Sequence, residues 1–272
     1  MKYSLDKLKK LQMPNGGFER FHSMSLTNPI TTEHALRKCM FLDLSKEDYF
    51  VKKLLEYVAN LLHQKEPFPD RVEKVMNWTV FMRLMYAAWL KIFKVNDSEA
   101  QKVIMQWKQI VEYATESKEF DIKHYQMEYD NVFGKPKARE RYINPANFYV
   151  VNLLRNELSE KASEAYYNYI MNRGIYYVYD KSLRNLPSVF DANATIQYLT
   201  AIKMASSYCL EKSDLMFVRD WIMKHKSADG YWYTSNIKQD GFILSGNWRK
   251  RENKLNDIKC FFQDVLVNCK GS

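Results

Sequence analysis

The sequence predicts an all-α fold, a two-layer ring or open arc of about five helical hairpins. Three observations carry that prediction. Apolar residues recur at helical spacing in one segment after another. Those segments alternate between runs apolar on one face and runs apolar all round, the mark of half-wetted and buried helices respectively. Only 8 Gly and 7 Pro in 272 residues leave too few tight turns for an all-β chain.

Leu5, Leu8 and Leu11 open the chain as a short helix, ended by the turn signal Gln12-Met13-Pro14-Asn15-Gly16-Gly17-Phe18. A second helix starts at Thr31 or Thr32, with Glu33 in its first turn, and runs to about Leu42. Ser45 caps a third, with Asp48 completing a weak capping box. On it Val51, Leu54, Leu55, Val58, Leu61 and Leu62 share one face, opposite Lys52, Lys53, Glu56 and Asn60, until Pro67-Phe68-Pro69 breaks the run.

Residues 78 to 93 differ in kind. Arg83 and Lys91 are their only charges, so this helix is buried on both faces. Asp97 or Ser98 then opens an outer helix to Ala114, with the stripe Ala100, Val103, Ile104, Trp107 and Val111. Residues 115 to 144 read as the longest irregular region. Asn144-Pro145 opens an inner helix to about Asn156, and Ser159 or Ser163 an outer one to about Tyr177. A further inner helix spans residues 190 to 209, Ser213 caps the next outer helix, and Asn256-Asp257 starts the last inner one. Inner starts near Thr32, Trp78, Asn147, Asp191 and Asp257 define a unit of about 45 residues, twice plain and twice with an insertion of about 20. The chain is read as one domain, residues 1 to 272.

Two stretches repeat the same local pattern. Gln12 precedes Gly16-Gly17-Phe18, and Trp221 precedes Asp229-Gly230-Tyr231-Trp232, with degenerate copies at Pro67-Phe68-Pro69, Phe133-Gly134 and Tyr176-Tyr177. Gly supplies the left-handed cap after an outer helix, and the ring that follows closes the gap between hairpins. This pattern resembles the α/α toroid of terpenoid cyclases and protein prenyltransferase β subunits, as does Ser245-Gly246-Asn247-Trp248-Arg249 leading into Asp257. The resemblance implies a catalytically unassigned bacterial member of that superfamily. The aspartate-rich D-x-D-D of class II cyclases is missing, as is the magnesium motif of class I synthases. Where a prenyltransferase would hold zinc, the chain offers Asp191-Ala192-Asn193, and no histidine follows His225.

No cofactor and no metal are therefore expected; the five histidines form no H-x-x-x-H or H-E-x-x-H pattern. Cys39, Cys209, Cys260 and Cys269 read as buried free thiols of a cytoplasmic protein. The net charge of +9 is spread along the chain, which reads as a solvated surface and disfavours nucleic acid as a partner. No apolar run is long enough to span a membrane.

Candidate ligand-binding residues are Trp78, Asn147, Asp191, Asn193, Tyr198, Trp248, Arg249 and Asp257, with Asp191 the candidate acid or base. Thr32, His34 and Asn77 lie at inner-helix starts too, where capping is the plain role. Asp191 stands out because Asn193, Thr195 and Tyr198 follow it as polar groups on an apolar helix, and buried polar groups need partners. Arg249 can pair with Asp257 or hold a phosphate. Glu128 and Asp130 offer a pair of loop carboxylates. The leading expectation is an aromatic central cavity binding an apolar or isoprenoid-like small molecule. The alternatives are a cyclase-, glycosidase- or lyase-type enzyme using Asp191 and the loop carboxylates, and a helical-repeat scaffold for protein or nucleic acid.

Overall fold

A computed structural model describes residues 5–22, 30–237, 248 and 250–269. Among them are eleven α-helices, one 3-10 turn and no strand. The chain divides into two compact units, one of residues 1–107 and 129–143, the other of residues 108–128 and 144–272.

The first unit holds α1 (Leu5–Leu11), α2 (Thr32–Phe41), α3 (Tyr49–Leu62) and α4 (Trp78–Ile92), with the first part of α5 (Ser98–Ala114) and the last part of α6 (Ile122–Phe133). Thr31 caps α2 by accepting from His34 N at 3.1 Å. Helices α3 and α4 pack as a hairpin. Their burial follows the pattern in the sequence: α3 buries its apolar stripe and leaves Lys52 and Glu56 exposed, whereas α4 buries ten side chains around its circumference. Full burial of a Leu or Phe contributes about 1.5–3 kcal/mol, so α4 is the main apolar anchor of this unit. Gln12 clamps the turn after α1, its amide donating to Gly16 O at 2.8 Å and Phe50 O at 3.2 Å. At Gly16, with φ +92°, a Cβ would lie 2.1 Å from Lys53 O, so the close approach to α3 requires glycine.

The second unit holds the rest of α5 and α6, then α7 (Phe148–Leu153), α8 (Glu160–Arg173), α9 (Asn193–Ala205), a 3-10 turn (Lys212–Leu215), α10 (Met216–Lys224) and α11 (Arg251–Asn268). Helix α9 packs on α7, α8 and α11. Large aromatics of this unit are tied to backbone carbonyls: Tyr166 to Pro145 O at 2.6 Å, Tyr198 to Leu183 O at 2.8 Å, Tyr208 to Val151 O at 2.5 Å and Trp232 to Ile222 O at 2.8 Å.

Several expected boundaries are corrected. Asp48 caps α3, accepting from Phe50 N at 2.9 Å, while Ser45 Oγ accepts from Glu47 N in the turn before it. Residues 115–144 are not one loop, since α6 lies within them. Helix α7 is a short piece opened by Asn147, α9 starts at Asn193, and Ser213 lies inside the 3-10 turn. Helix α11 begins at Arg251 without a side-chain cap, which puts Asp257 well inside it. Of the cysteines, Cys39, Cys209 and Cys269 are buried free thiols and Cys260 is exposed. No described helix is long and apolar enough to cross a membrane.

Candidate functional site

Asp191 sits in the turn before α9 and does not cap it; the N-cap is Ala192. Its carboxylate accepts from Ser235 N and Oγ, both at 2.8 Å, from Asn236 N at 2.9 Å and from Ile237 N at 3.2 Å. Partial burial acts to raise its pKa, but these donors, led by Asn236 N and the Ser235 hydroxyl, overcome that and hold it below the ordinary carboxylate value. A carboxylate so fully engaged is a clamp on residues 235–237, and acid or base work there would cost several hydrogen bonds. Thr195 donates to Val189 O at 2.9 Å and Tyr198 to Leu183 O, so both polar groups on α9 are spent on backbone. Asn193 is the first residue of α9.

Asn147 caps α7, accepting from Tyr149 N at 2.8 Å and Val150 N at 3.0 Å while donating to Asn144 O at 2.9 Å. Asp257, nearly buried on α11, accepts from Trp248 Nε1 at 2.6 Å. Arg249 and residues 245–247 lie outside the described residues. Glu128 and Asp130 are helical rather than in a loop, and two positions along a helix place side chains on nearly opposite sides. Each has its own partner, Gln109 for Glu128 at 2.5 Å and Tyr142 for Asp130 at 3.0 Å.

The first unit gathers what the sequence motifs do not announce. A parallel bridge between Arg20 and Thr31 lays the 18–22 segment along the start of α2. Asp70 pins that segment from the other side, accepting from Phe21 N at 3.0 Å and His22 N at 2.6 Å. His22 Nδ1 thereby lies 2.6 Å from Glu33 Oε2, and Arg37 Nη2 lies 2.9 Å from Glu33 Oε1. Burial pulls the His22 pKa down, yet the hydrogen bond and charge of Glu33, with Glu73 and Asp70 behind, bring it above its ordinary 6.5.

This charged group stands against aromatic side chains. Arg37 lies 5.8 Å from the Trp89 ring centroid, and the His22 ring meets Phe81 edge-on at 6.2 Å. Phe81 packs on Trp78 at 5.4 Å, Trp78 on Phe68 at 5.7 Å, and Tyr86 on both Phe68 and Phe21. Trp78, Phe81 and Tyr86 project from one side of α4, at spacings of three and five. Trp78 Nε1 and the Tyr86 hydroxyl are buried and find no acceptor among the described residues. Burial pushes the Tyr86 pKa far up, with smaller contributions from Tyr57 and Asp70, so its hydroxyl keeps its proton and can only be a neutral donor or acceptor. Trp78 is thus the expected ligand residue that stands in a gathered site. His22, Glu33, Arg37, Phe68 and Tyr86 join it, and their signal in the sequence is faint: one histidine before a turn, and an aromatic between two prolines.

No group of three or more metal-ligating side chains occurs among the described residues. Cys39 is no nucleophile either, since burial, helped by Asp48, raises its thiol pKa to about 12. Comparison of the chain with protein-family models, curated proteins and solved structures finds no match.

Proposed function

We propose that the protein binds a small, largely apolar, isoprenoid-like molecule at the aromatic site of α4 in its first unit, as the α/α-toroid resemblance also suggests. The alternation of a half-wetted α3 with an all-round apolar α4 supports that resemblance locally. The observation that carries the reading is the pair of buried donors, Trp78 Nε1 and the Tyr86 hydroxyl, that meet across Phe68 with no acceptor among the described residues. A buried unpaired donor forfeits about 1–3 kcal/mol of hydration; in the second unit Tyr166, Tyr198, Tyr208 and Trp232 are bonded and the Tyr167 hydroxyl is not, but Trp78 and Tyr86 share the ring neighbour Phe68. An apolar body against the rings, with one or two acceptor oxygens, answers both needs.

Removing an unbonded donor gives opposite signs for stability and binding. Tyr86→Phe is expected to leave the melting temperature of the ligand-free protein unchanged or raised, whereas Trp78→Phe also removes ring volume from a packed position and should lower it. Both changes should also release a small molecule that wild type retains through purification from its own host, read by native mass spectrometry. Absence of any retained molecule, together with destabilisation by Tyr86→Phe, would show that the two groups serve the core alone.

A further inference from the structure

The positive charge that is diffuse along the chain as a whole is gathered on rings in residues 226–259 of the second unit. Lys226 Nζ lies 5.2 Å from the Trp232 centroid, Arg251 Cζ 5.8 Å from Tyr233, Lys254 Nζ 5.5 Å from Trp248 and Lys259 Nζ 4.5 Å from Tyr231. Such pairs occur roughly once per 70–80 residues in proteins; Trp232 is buried, and the three pairs on Tyr231, Tyr233 and Trp248 lie on rings that are at least partly exposed. Arg251, Lys254 and Lys259 lie within one side of α11, the side that meets residues 231–235.

The acids of this surface are each hydrogen-bonded to the loop or to one of its rings. Asp229 accepts from Ser227, Tyr231 N and the Tyr233 hydroxyl, Asp191 holds residues 235–237, and Asp257 holds Trp248. Each fixes the loop or a ring through neutral donors, Asp229 from an exposed position and Asp257 from a buried one. None of Lys226, Arg251, Lys254 and Lys259 is in an ion pair among the described residues. Tyr233 is half exposed and Tyr231 partly so. Tyr231, Tyr233 and Trp248 thus each carry a cation that makes no ion pair among the described residues, although Lys254 also donates to Ser235 O at 3.3 Å and feels the charge of Asp191.

We infer that this face binds single-stranded nucleic acid, with bases stacking on Tyr231, Tyr233 and Trp248 and phosphates meeting Arg251, Lys254 and Lys259. A polyanion supplies negative charge to Arg251, Lys254 and Lys259 together. Unstacked bases supply the flat apolar faces that rings accept, and a duplex keeps those faces hidden. Because stacking tolerates any base, the face is expected to show little sequence preference.

The test is anisotropy of a labelled oligothymidylate of about 15 nucleotides with the full chain, a length of the order of one stacking platform's site size. Binding should weaken steeply as salt rises, and an equal-length duplex and heparin should compete poorly. Tyr233→Ala should weaken binding by about ten-fold, a typical loss for one stacked base, while Tyr233→Phe keeps it. Arg251→Gln with Lys259→Gln should reduce the salt slope by about 2. Equal competition by duplex or heparin, binding to anionic vesicles in place of the oligonucleotide, no binding at low salt, or a Tyr233→Ala protein that binds as wild type would each overturn the inference. Tyr233 being half exposed, melting curves of its variants should overlay the wild type, and those of Arg251→Gln/Lys259→Gln should too.

Discussion

Glu33 is the most exposed to test of the single residues, because it is a buried carboxylate that serves two cations at once. Its oxygens hold His22 and Arg37 on either side, and removing one member leaves the others' charges without their partner. His22 sets the pH dependence. Its folded pKa lies above the ordinary 6.5, so protonated His22 contributes stability that is fully present below about 6.5 and is lost as pH rises through the raised folded value. Wild type should therefore lose stability in urea denaturation between about pH 6 and pH 8, the window in which histidine titrates. Glu33→Gln should cost about 1–3 kcal/mol at the acidic end and flatten that slope, since the main cause of the raised pKa is gone. An unchanged slope would mean that His22 titrates as a free side chain. Neither partner is legible in the sequence. His22 and Glu33 follow no spacing rule, and it is the Arg20–Thr31 bridge and the Asp70 clamp that bring them together.

Among the elements, α4 is legible from its residues alone, because burial on all sides removes charge from every face and only Arg83 and Lys91 interrupt it. Helix α6 is not, although its signals are present. Asp121 accepts from Lys123 N and His124 N as a cap does, and Tyr125, Tyr129 and Phe133 recur every fourth residue, with both tyrosines fully buried. Tyrosines among charges look like a wet loop until their rings are known to face inward. Helix α11 misleads in the opposite way: Asn256-Asp257 has the chemistry of a cap, but Asp257 is engaged by Trp248. Helix ends also separate two roles of glycine. At Gly174, the α8 cap with φ +83°, a Cβ would lie 2.3 Å from Tyr179 O and 2.4 Å from Lys181 O, both backbone. At Gly134, φ +81°, nothing lies within 4 Å. Gly174→Ala should thus add a backbone collision to the dihedral strain and cost about 3 kcal/mol or more, whereas Gly134→Ala costs only the strain, about 1 kcal/mol. Equal shifts in the two urea midpoints would refute the close approach at Gly174.

At the scale of the whole molecule, neither compact unit is a continuous run of chain. The first leaves off at Trp107 and resumes at Tyr129, and the second takes residues 108–128 before it resumes at Asn144. The returning segments carry core side chains. Trp107, fully buried, packs on Tyr129 at 6.0 Å and Phe133 at 5.3 Å, and Arg141 N donates to Val75 O at 2.8 Å. In the second unit Phe120 stacks on Tyr169 at 4.1 Å, and Glu112 accepts from Ser159 N at 3.0 Å. A cut after Trp107 therefore strips the first unit of part of its own core, and a cut before Asn144 does the same to the second. Fragment 1–107 should show an exposed Trp107, with red-shifted emission and a shallow denaturation curve, because aromatics of this size dominate core energetics at about 150–250 Å² buried apiece. Fragment 1–143 restores Tyr129, Phe133 and Arg141 and should unfold cooperatively, as should 108–272 when compared with 144–272. Should 1–107 unfold as sharply as 1–143, the returning segment adds nothing to the first unit, and the α3–α4 hairpin with α1 and α2 suffices to hold it.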